Sequence, residues 1–234
     1  MLLSDQYFKG LTHNRYYNMT LSKICGITDE DNLEMVLSYE PNAVGFIVDV
    51  PVDTPRKIST GKAKELISRV PIFITSVLVI MPEGAEEAIR MVEGTNPGAL
   101  QIHNDLPKEA LKMIKDSVAI PIIKTIGVSG ETEPEDVICK ISELKGLIDA
   151  ILLDTKTGGS IGGSGITHNW NLSKEIVRSA SVPVILAGGL NPDNVSSAVS
   201  IVNPFAVDTG SGVESSPGKK DPFMVQKFIE NSRA

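Results

Sequence analysis

VPVILAGGLNPDNVSSAVSIVNPFAVDTGSGVE, residues 182–214, contains two short apolar runs, each opening at its C-terminal end into glycine. Val182–Ala187 runs into Gly188-Gly189, and Phe205–Val207 runs into Asp208-Thr209-Gly210-Ser211-Gly212. Between them Asn191-Pro192 reads as a helix start, because Asn can cap free N–H groups and Pro suits the first helical turn. Pro192–Ile201 carries a short helical pattern. Glycine at a strand end lets backbone N–H groups approach an anion with no side chain in the way. One such loop alone reads as a tight turn. Two successive strand ends with the same chemistry read as a phosphate cradle, which a closed parallel barrel builds after its last two strands.

Outward from this stretch the chain alternates. Apolar runs at Leu21–Cys25, Ala43–Val48, Ile74–Ile80, Ala99–His103, Ile120–Ile126 and Ile148–Leu153 precede the two already quoted. Amphipathic patterns at Asp29–Tyr39, Gly61–Ser68, Glu83–Glu93, Pro107–Ser117, Pro134–Leu144, Leu172–Ser179 and Pro222–Asn231 join Pro192–Ile201 between and after them. The strand runs are rich in Val and Ile without strict alternation, as strands covered on both faces should be. Thr28, Asn191 and Asp221 stand where helix caps are expected. Eight strand–helix units predict an α/β chain folded as a single-domain (β/α)8 TIM barrel over residues 21–234. Residues 1–20, with aromatics but no period, read as an N-terminal extension outside the barrel. The runner-up is an open doubly wound sheet. It needs fewer units, and no G-x-G-x-x-G signature opens the first helix.

The chain has 234 residues, of which 41% are hydrophobic and 22% charged, so it is long enough and apolar enough for one large core. A net charge of −7 with no basic, aromatic-interleaved stripe argues against nucleic acid as a partner. No long apolar run suggests a membrane span, and no signal-peptide pattern is visible. Two cysteines, Cys25 and Cys139, make no disulfide framework, which points to the cytoplasm. His13, His103 and His168 are far apart and no Cys/His cluster has metal spacing, so no metal is expected. The pattern is compatible with a monomer or a homodimer.

In a barrel of this kind chemistry belongs to the C-terminal strand ends and the loops after them. Those positions hold Lys23-Ile24-Cys25-Gly26, Arg56, Gln101, His103, Lys124, Asp154, Gly188-Gly189 and Asp208 to Gly212. Cys25 reads either as a small buried hydrophobe or as a base. The second role needs nearby positive charge, from Lys23, Arg56 or helix N-termini, to favour the thiolate. Cys139, inside a helical pattern, reads as inert packing. Asp154, closing the run Ala150-Ile151-Leu152-Leu153, reads either as a loop cap or as a carboxyl kept protonated by desolvation, hence a general acid. An acid and a base at one barrel mouth beside a phosphate cradle suggest isomerisation of a phosphosugar by proton transfers alone.

These motifs together resemble phosphoribosylanthranilate isomerase, the (β/α)8 enzyme of tryptophan biosynthesis, from about Leu21 to the C-terminus. The carriers are K-I-C-G-I-T at Lys23–Thr28, Gly45-Phe46, Pro55-Arg56, Gln101-Ile102-His103, and Leu152-Leu153-Asp154-Thr155. They continue with Gly162-Gly163-Ser164-Gly165 before Trp170, A-G-G-L-N-P at Ala187–Pro192, Val207-Asp208, S-G-V-E at Ser211–Glu214 and Pro217-Gly218. The resemblance implies an Amadori rearrangement of N-(5-phosphoribosyl)anthranilate with Asp154 as acid and Cys25 as base. It implies Arg56 facing the anthranilate carboxylate and Asp208 holding sugar hydroxyls, with Gln101 and His103 lining the site. Gly188, Gly189, Ser211 and Gly212 would bind phosphate, and no cofactor would be needed. The chain departs from the family's usual pattern in a longer loop at Asp49–Pro55, which carries Asp49 and Asp53 near the expected anionic ring. It departs again at Asn104, at His168-Asn169 and at Gly210. Alternative readings are a paralogue with another aglycone, the two-carboxylate isomerase of the histidine pathway, and a barrel that binds a phosphosugar without turnover. Cys25 argues against the histidine-pathway enzyme, and Cys25 with Asp154 against the binding barrel.

Overall fold

A computed structural model describes residues 19–157, 160–161 and 167–233, with backbone alone at 157, 160 and 161. Most of the expected N-terminal extension and the Gly162–Gly165 motif lie outside the described residues. Eight parallel strands form a closed ring: β1 Leu21–Cys25, β2 Ala43–Val48, β3 Thr75–Ile80, β4 Ala99–Ile102, β5 Ile122–Val128, β6 Ala150–Thr157, β7 Val184–Leu186 and β8 Ala206–Thr209. Each pairs with its sequence neighbours, and β1 pairs with both β2 and β8, which shuts the barrel and leaves no free edge. The (β/α)8 expectation holds, and the open-sheet alternative falls on the β1–β8 pairing.

Among the described residues eight helices alternate with the strands: α1 Glu30–Leu37, α2 Thr60–Ile67, α3 Ala85–Thr95, α4 Lys108–Ser117, α5 Pro134–Glu143, α6 Trp170–Ser179, α7 Val195–Val202 and α8 Pro222–Ser232. Asp221 caps α8 as expected, its side chain accepting from Met224 N at 2.9 Å. Two other caps differ from expectation. Asp29 rather than Thr28 caps α1, because its carboxylate reaches Asn32 N at 2.8 Å. Asn191 starts no helix: its side chain accepts from Asp193 N and Asn194 N, closing a local turn, and α7 begins at Val195. This turn lengthens the loop after β7.

The strands' outward side chains, among them Val44, Phe46, Leu78, Leu100 and Leu186, pack against the buried helix faces in one cluster with Leu33, Leu66, Leu111, Ile176 and Phe228. Their inward side chains form a second cluster of Val77, Val79, Ala99, Ile123, Leu152, Ile185 and Ala206. Further along the same inward faces the residues turn polar: Lys23, Gln101, Thr125, Asp154 and Asp208 are all buried. The apolar layer fills the barrel, and the polar one floors its mouth.

Candidate active site

Cys25 ends β1 and is 8% exposed. Its register partner on β2 is Gly45. A Cβ on Gly45 would stand 2.7 Å from Cys25 Sγ and 3.1 Å from Lys23 Cε, so the missing side chain is the room in which both groups sit. Gly26 then turns the chain at φ +80°, donating its N–H to Gly45 O at 2.9 Å. Burial pushes the Cys25 thiol up; the Lys23 and Lys220 charges pull it down, and the Asp208 carboxylate adds to the rise.

Lys23 is the hub of the floor. Its Nζ donates to Asp208 Oδ1 and to Gln101 Oε1, both at 3.0 Å, and Gln101 Nε2 donates to Thr125 Oγ1 at 3.1 Å. Burial opposes the charge on Lys23, yet Asp208 and Cys25 outweigh it and hold the ammonium above its usual value. β8 places Asp208 directly in register with Lys23.

Asp154 sits near the end of β6, 8% exposed. Burial, reinforced by the nearby Asp208 charge, pushes its carboxyl up to about 7, against the opposing pull of Thr155 N and Lys23. Thr155 N donates to Asp154 Oδ1 at 2.8 Å. Asp208 therefore acts on both Cys25 and Asp154, the two groups singled out as base and acid. The next residue carries the outward connection. Thr155 Oγ1 lies 3.0 Å from His168 Nδ1, and His168 Nε2 lies 2.6 Å from Ser173 Oγ. Burial lowers the His168 ring to about 4.

Arg56 reaches the mouth because residues Lys57–Ile58 pair in parallel with Ile47 and Val48, extending the sheet beyond the end of β1. Its Cδ is where a Gly26 side chain would be, 2.8 Å from the position of a Cβ. The guanidinium pairs with Glu214, which also takes Lys220 Nζ at 2.8 Å. Burial would raise Glu214, but Arg56 and Lys220 hold it below the usual carboxylate range. Lys220 Nζ also donates to Cys25 O at 2.7 Å and Gly210 O at 2.9 Å.

The two glycine loops lie against each other and against β6. Gly188 and Gly189 adopt φ +84° and +67°. A Cβ on Gly188 would stand 2.1 Å from Thr155 Oγ1, and one on Gly212 only 1.9 Å from Leu190 O. Thr209 Oγ1 donates to Leu190 O at 2.7 Å, tying the loops together. Ser211-Gly212-Val213 forms a single 3-10 turn.

Four expectations are corrected. Lys124 does not enter the polar floor, since inward positions on β5 fall to Ile123 and Thr125. Its ammonium meets Asp105 at 3.3 Å and Thr125 O. Cys139 is exposed on α5 rather than packed. The Asp49 carboxylate, expected near an anionic ring, is engaged by Thr60, through N at 3.0 Å and Oγ1 at 2.6 Å, at the start of α2, whose N-cap is Ser59. The strand run Ala99–His103 ends at Ile102, and His103, half-buried, lines a cavity of about 170 Å³ with Asp105, Lys124 and Lys140. The sequence reading missed the roles of Glu214 and Lys220. Glu214 was visible in S-G-V-E, and nothing local marked Lys220.

Among the described residues no group of three or more His, Cys, Asp or Glu could hold a metal ion. No described helix is long and apolar enough to cross a membrane.

Residues 22–231 match the sequence profile of the N-(5′-phosphoribosyl)anthranilate (PRA) isomerase family. The chain is 44% identical over 223 residues to N-(5′-phosphoribosyl)anthranilate isomerase of Methanosarcina acetivorans, covering 92% of this chain and 93% of the relative. It resembles the crystal structure of phosphoribosyl anthranilate isomerase from Thermotoga maritima, with 34% identity, a TM-score of 0.79 and coverage of 92% and 98%. A second crystal structure, of phosphoribosyl anthranilate isomerase in complex with reduced 1-(o-carboxyphenylamino)-1-deoxyribulose 5-phosphate, matches with 33% identity and a TM-score of 0.76, over 92% of this chain and 98% of that one.

Proposed function

Because the chain belongs to the N-(5′-phosphoribosyl)anthranilate isomerase family, we propose that it rearranges N-(5-phosphoribosyl)anthranilate to 1-(2-carboxyphenylamino)-1-deoxyribulose 5-phosphate in tryptophan biosynthesis. Asp154 is the general acid. Its proton goes to the furanose ring oxygen, the ring C–O bond breaks, and a Schiff base forms to the anthranilate nitrogen. Cys25, as thiolate, takes the C2′ proton, and the electron pair moves into an enolamine that tautomerises to the ketone. The iminium nitrogen is the electron sink, so these steps call for no cofactor.

The observation that carries this reading is a buried carboxyl raised to about 7 and a buried thiol, raised by burial but drawn down by two lysine ammonium groups, that share Lys23 and Asp208 as neighbours. A general acid must hold its proton at working pH, and burial gives Asp154 that property. The backbone N–H groups around Gly188, Gly189, Ser211 and Gly212 take the phosphate, where a side chain on Gly188 or Gly212 has no room. Asp208 and Gln101, joined through Lys23, meet the sugar hydroxyls, with His103 at the rim. Arg56 pairs with the aglycone carboxylate through the N–H groups that Glu214 leaves free.

The test is turnover of the anthranilate substrate by the parent and by Cys25→Ser and Asp154→Asn, with rescue of a tryptophan-requiring host lacking this isomerase. Turnover lost in both variants supports the assignment. Phosphate binding without turnover in the parent would establish a binding barrel instead.

A further inference from the structure

The space left by Gly45 is taken by two side chains: Cys25 Sγ and the Lys23 stem are its nearest side-chain atoms. Lys23 cannot leave it, because Asp208 Oδ1 and Gln101 Oε1 hold its Nζ at 3.0 Å each. From this geometry we infer that Lys23 is the residue that makes Cys25 a usable base: its fixed ammonium stabilises the thiolate, and Asp208 is the counterweight that limits this. Lys23 supplies its charge and a hydrogen bond to the Cys25 side chain, and takes no proton from the substrate itself. The inference rests on the proposed role of Cys25 as base.

The argument is one of placement. A thiol 8% exposed, with its sulfur against the inner barrel layer, is disfavoured as an anion by desolvation. Three charged groups face it. Lys23 comes from β1 itself and Asp208 from β8; Lys220, from the short antiparallel hairpin that pairs Glu214–Ser216 with Lys219–Lys220 after the last barrel strand, binds the Cys25 carbonyl. Lys220 is divided among two carbonyl oxygens and Glu214, whose charge in turn is shared with Arg56. Among the described residues Lys23 has one ion-pair partner, Asp208, and its field falls on the thiol and on Asp154. The proton that Cys25 loses passes to water at the mouth before substrate binds. The thiolate then accepts the C2′ proton.

The experiment reads the thiol rather than the reaction. In a Cys139→Ser background, which removes the exposed second cysteine, the rate of alkylation of Cys25 by iodoacetamide is followed from neutral to alkaline pH. Lys23→Met is expected to raise the midpoint by about one unit or more, cutting the thiolate about tenfold per unit at fixed pH. Lys23→Gln, which keeps a hydrogen bond to Asp208, is expected to raise it as well should the methionine variant not fold. Asp208→Asn is expected to lower it. In an active parent, kcat in the lysine variants falls in step with the thiolate fraction that alkylation reads. A midpoint unmoved in a folded Lys23 variant overturns the inference, even where kcat falls, since a structural loss would do that. Absence of turnover in the parent would sink the proposed reaction, but the alkylation profile would still decide the role of Lys23.

Discussion

Arg56 clasps Glu214 through two parallel hydrogen bonds across 158 residues of chain, Nε to Oε1 at 2.8 Å and Nη2 to Oε2 at 2.6 Å. The clasp fixes a long, otherwise mobile side chain over Gly26 and leaves its other donors pointing away from Glu214. Arg56→Ala should raise KM roughly 10- to 100-fold, the range for losing a charge-assisted pair. Affinity for inorganic phosphate should change little, because the glycine loops keep their geometry. Equal loss of both, measured by titration calorimetry and steady-state kinetics, would contradict the assignment. Arg56→Lys should recover only a small part, since an ammonium cannot hold Glu214 and a second carboxylate in one plane.

Asp154→Asn should lower kcat by a factor of about 10² to 10⁴. In the parent, kcat/KM should rise with pH as Cys25 gains thiolate and stop rising near pH 7, where Asp154 loses its proton. The same burial costs stability. The native carboxyl titrates near 7 and the unfolded one near 3.8, so between these values the native state binds more protons and stability declines as pH rises. At roughly 1.4 kcal/mol per unit the cost above pH 7 is on the order of 4 kcal/mol. Asp154→Asn should therefore melt higher than the parent at alkaline pH, and the gap should shrink towards pH 4. A variant that melts lower than the parent at alkaline pH would show that the carboxyl is not strained by burial.

His168 works in the opposite direction. The native ring protonates near pH 4 and the unfolded ring near 6.5, so the unfolded chain binds more protons in between. Stability is complete above 6.5 and is lost as pH falls towards 4, by roughly 3 kcal/mol at about 1.4 kcal/mol per unit. Replacing the ring by Phe strands the hydroxyls of Thr155 and Ser173, lowering stability at neutral pH, but should flatten this acid limb. Denaturant melts of parent and His168→Phe at several pH values compare the two slopes. Equal slopes would mean that the ring is not the titrating group.

Two glycines can be set against a third. Gly212→Ala drives a methyl into Leu190 O, a backbone atom that cannot swing aside, and Gly188→Ala adds a positive φ to a collision with Thr155. Each should cost about 1–3 kcal/mol or more and weaken inorganic phosphate binding. Gly61→Ala, with open space around its Cβ in α2, should raise the melting temperature slightly, by about 0.5–1 kcal/mol of stability. A Gly212→Ala variant that binds phosphate like the parent would remove the loop from the phosphate site.

The barrel was readable because its information is local: eight apolar runs, each followed by an amphipathic one, and glycines where strands end. The inward positions of Cys25, Asp154 and Asp208 followed from strand ends alone. Lys124 was misjudged for want of register, since a one-residue step along a strand turns a side chain from mouth to helix layer. Gly45 was visible as a residue, but its use as room for Cys25 and Lys23 depends on β1–β2 pairing. The Arg56–Glu214–Lys220 group joins a loop after β2 to a hairpin after β8, and only closure of the ring brings them together. The helix start slipped at Thr28 because the neighbouring Asp29 carboxylate is better placed, and at Asn191 because its own side-chain oxygen closes a turn onto Asp193 N and Asn194 N.

The pairing of Lys23 with Asp208 links the first strand of the barrel to the last. During synthesis on a ribosome the lysine emerges long before its carboxylate partner, and until then water must solvate it in an unclosed ring. Sealing the cylinder and charging the catalytic floor are consequently one event, so a nascent or truncated chain lacking its eighth strand holds no partly working enzyme.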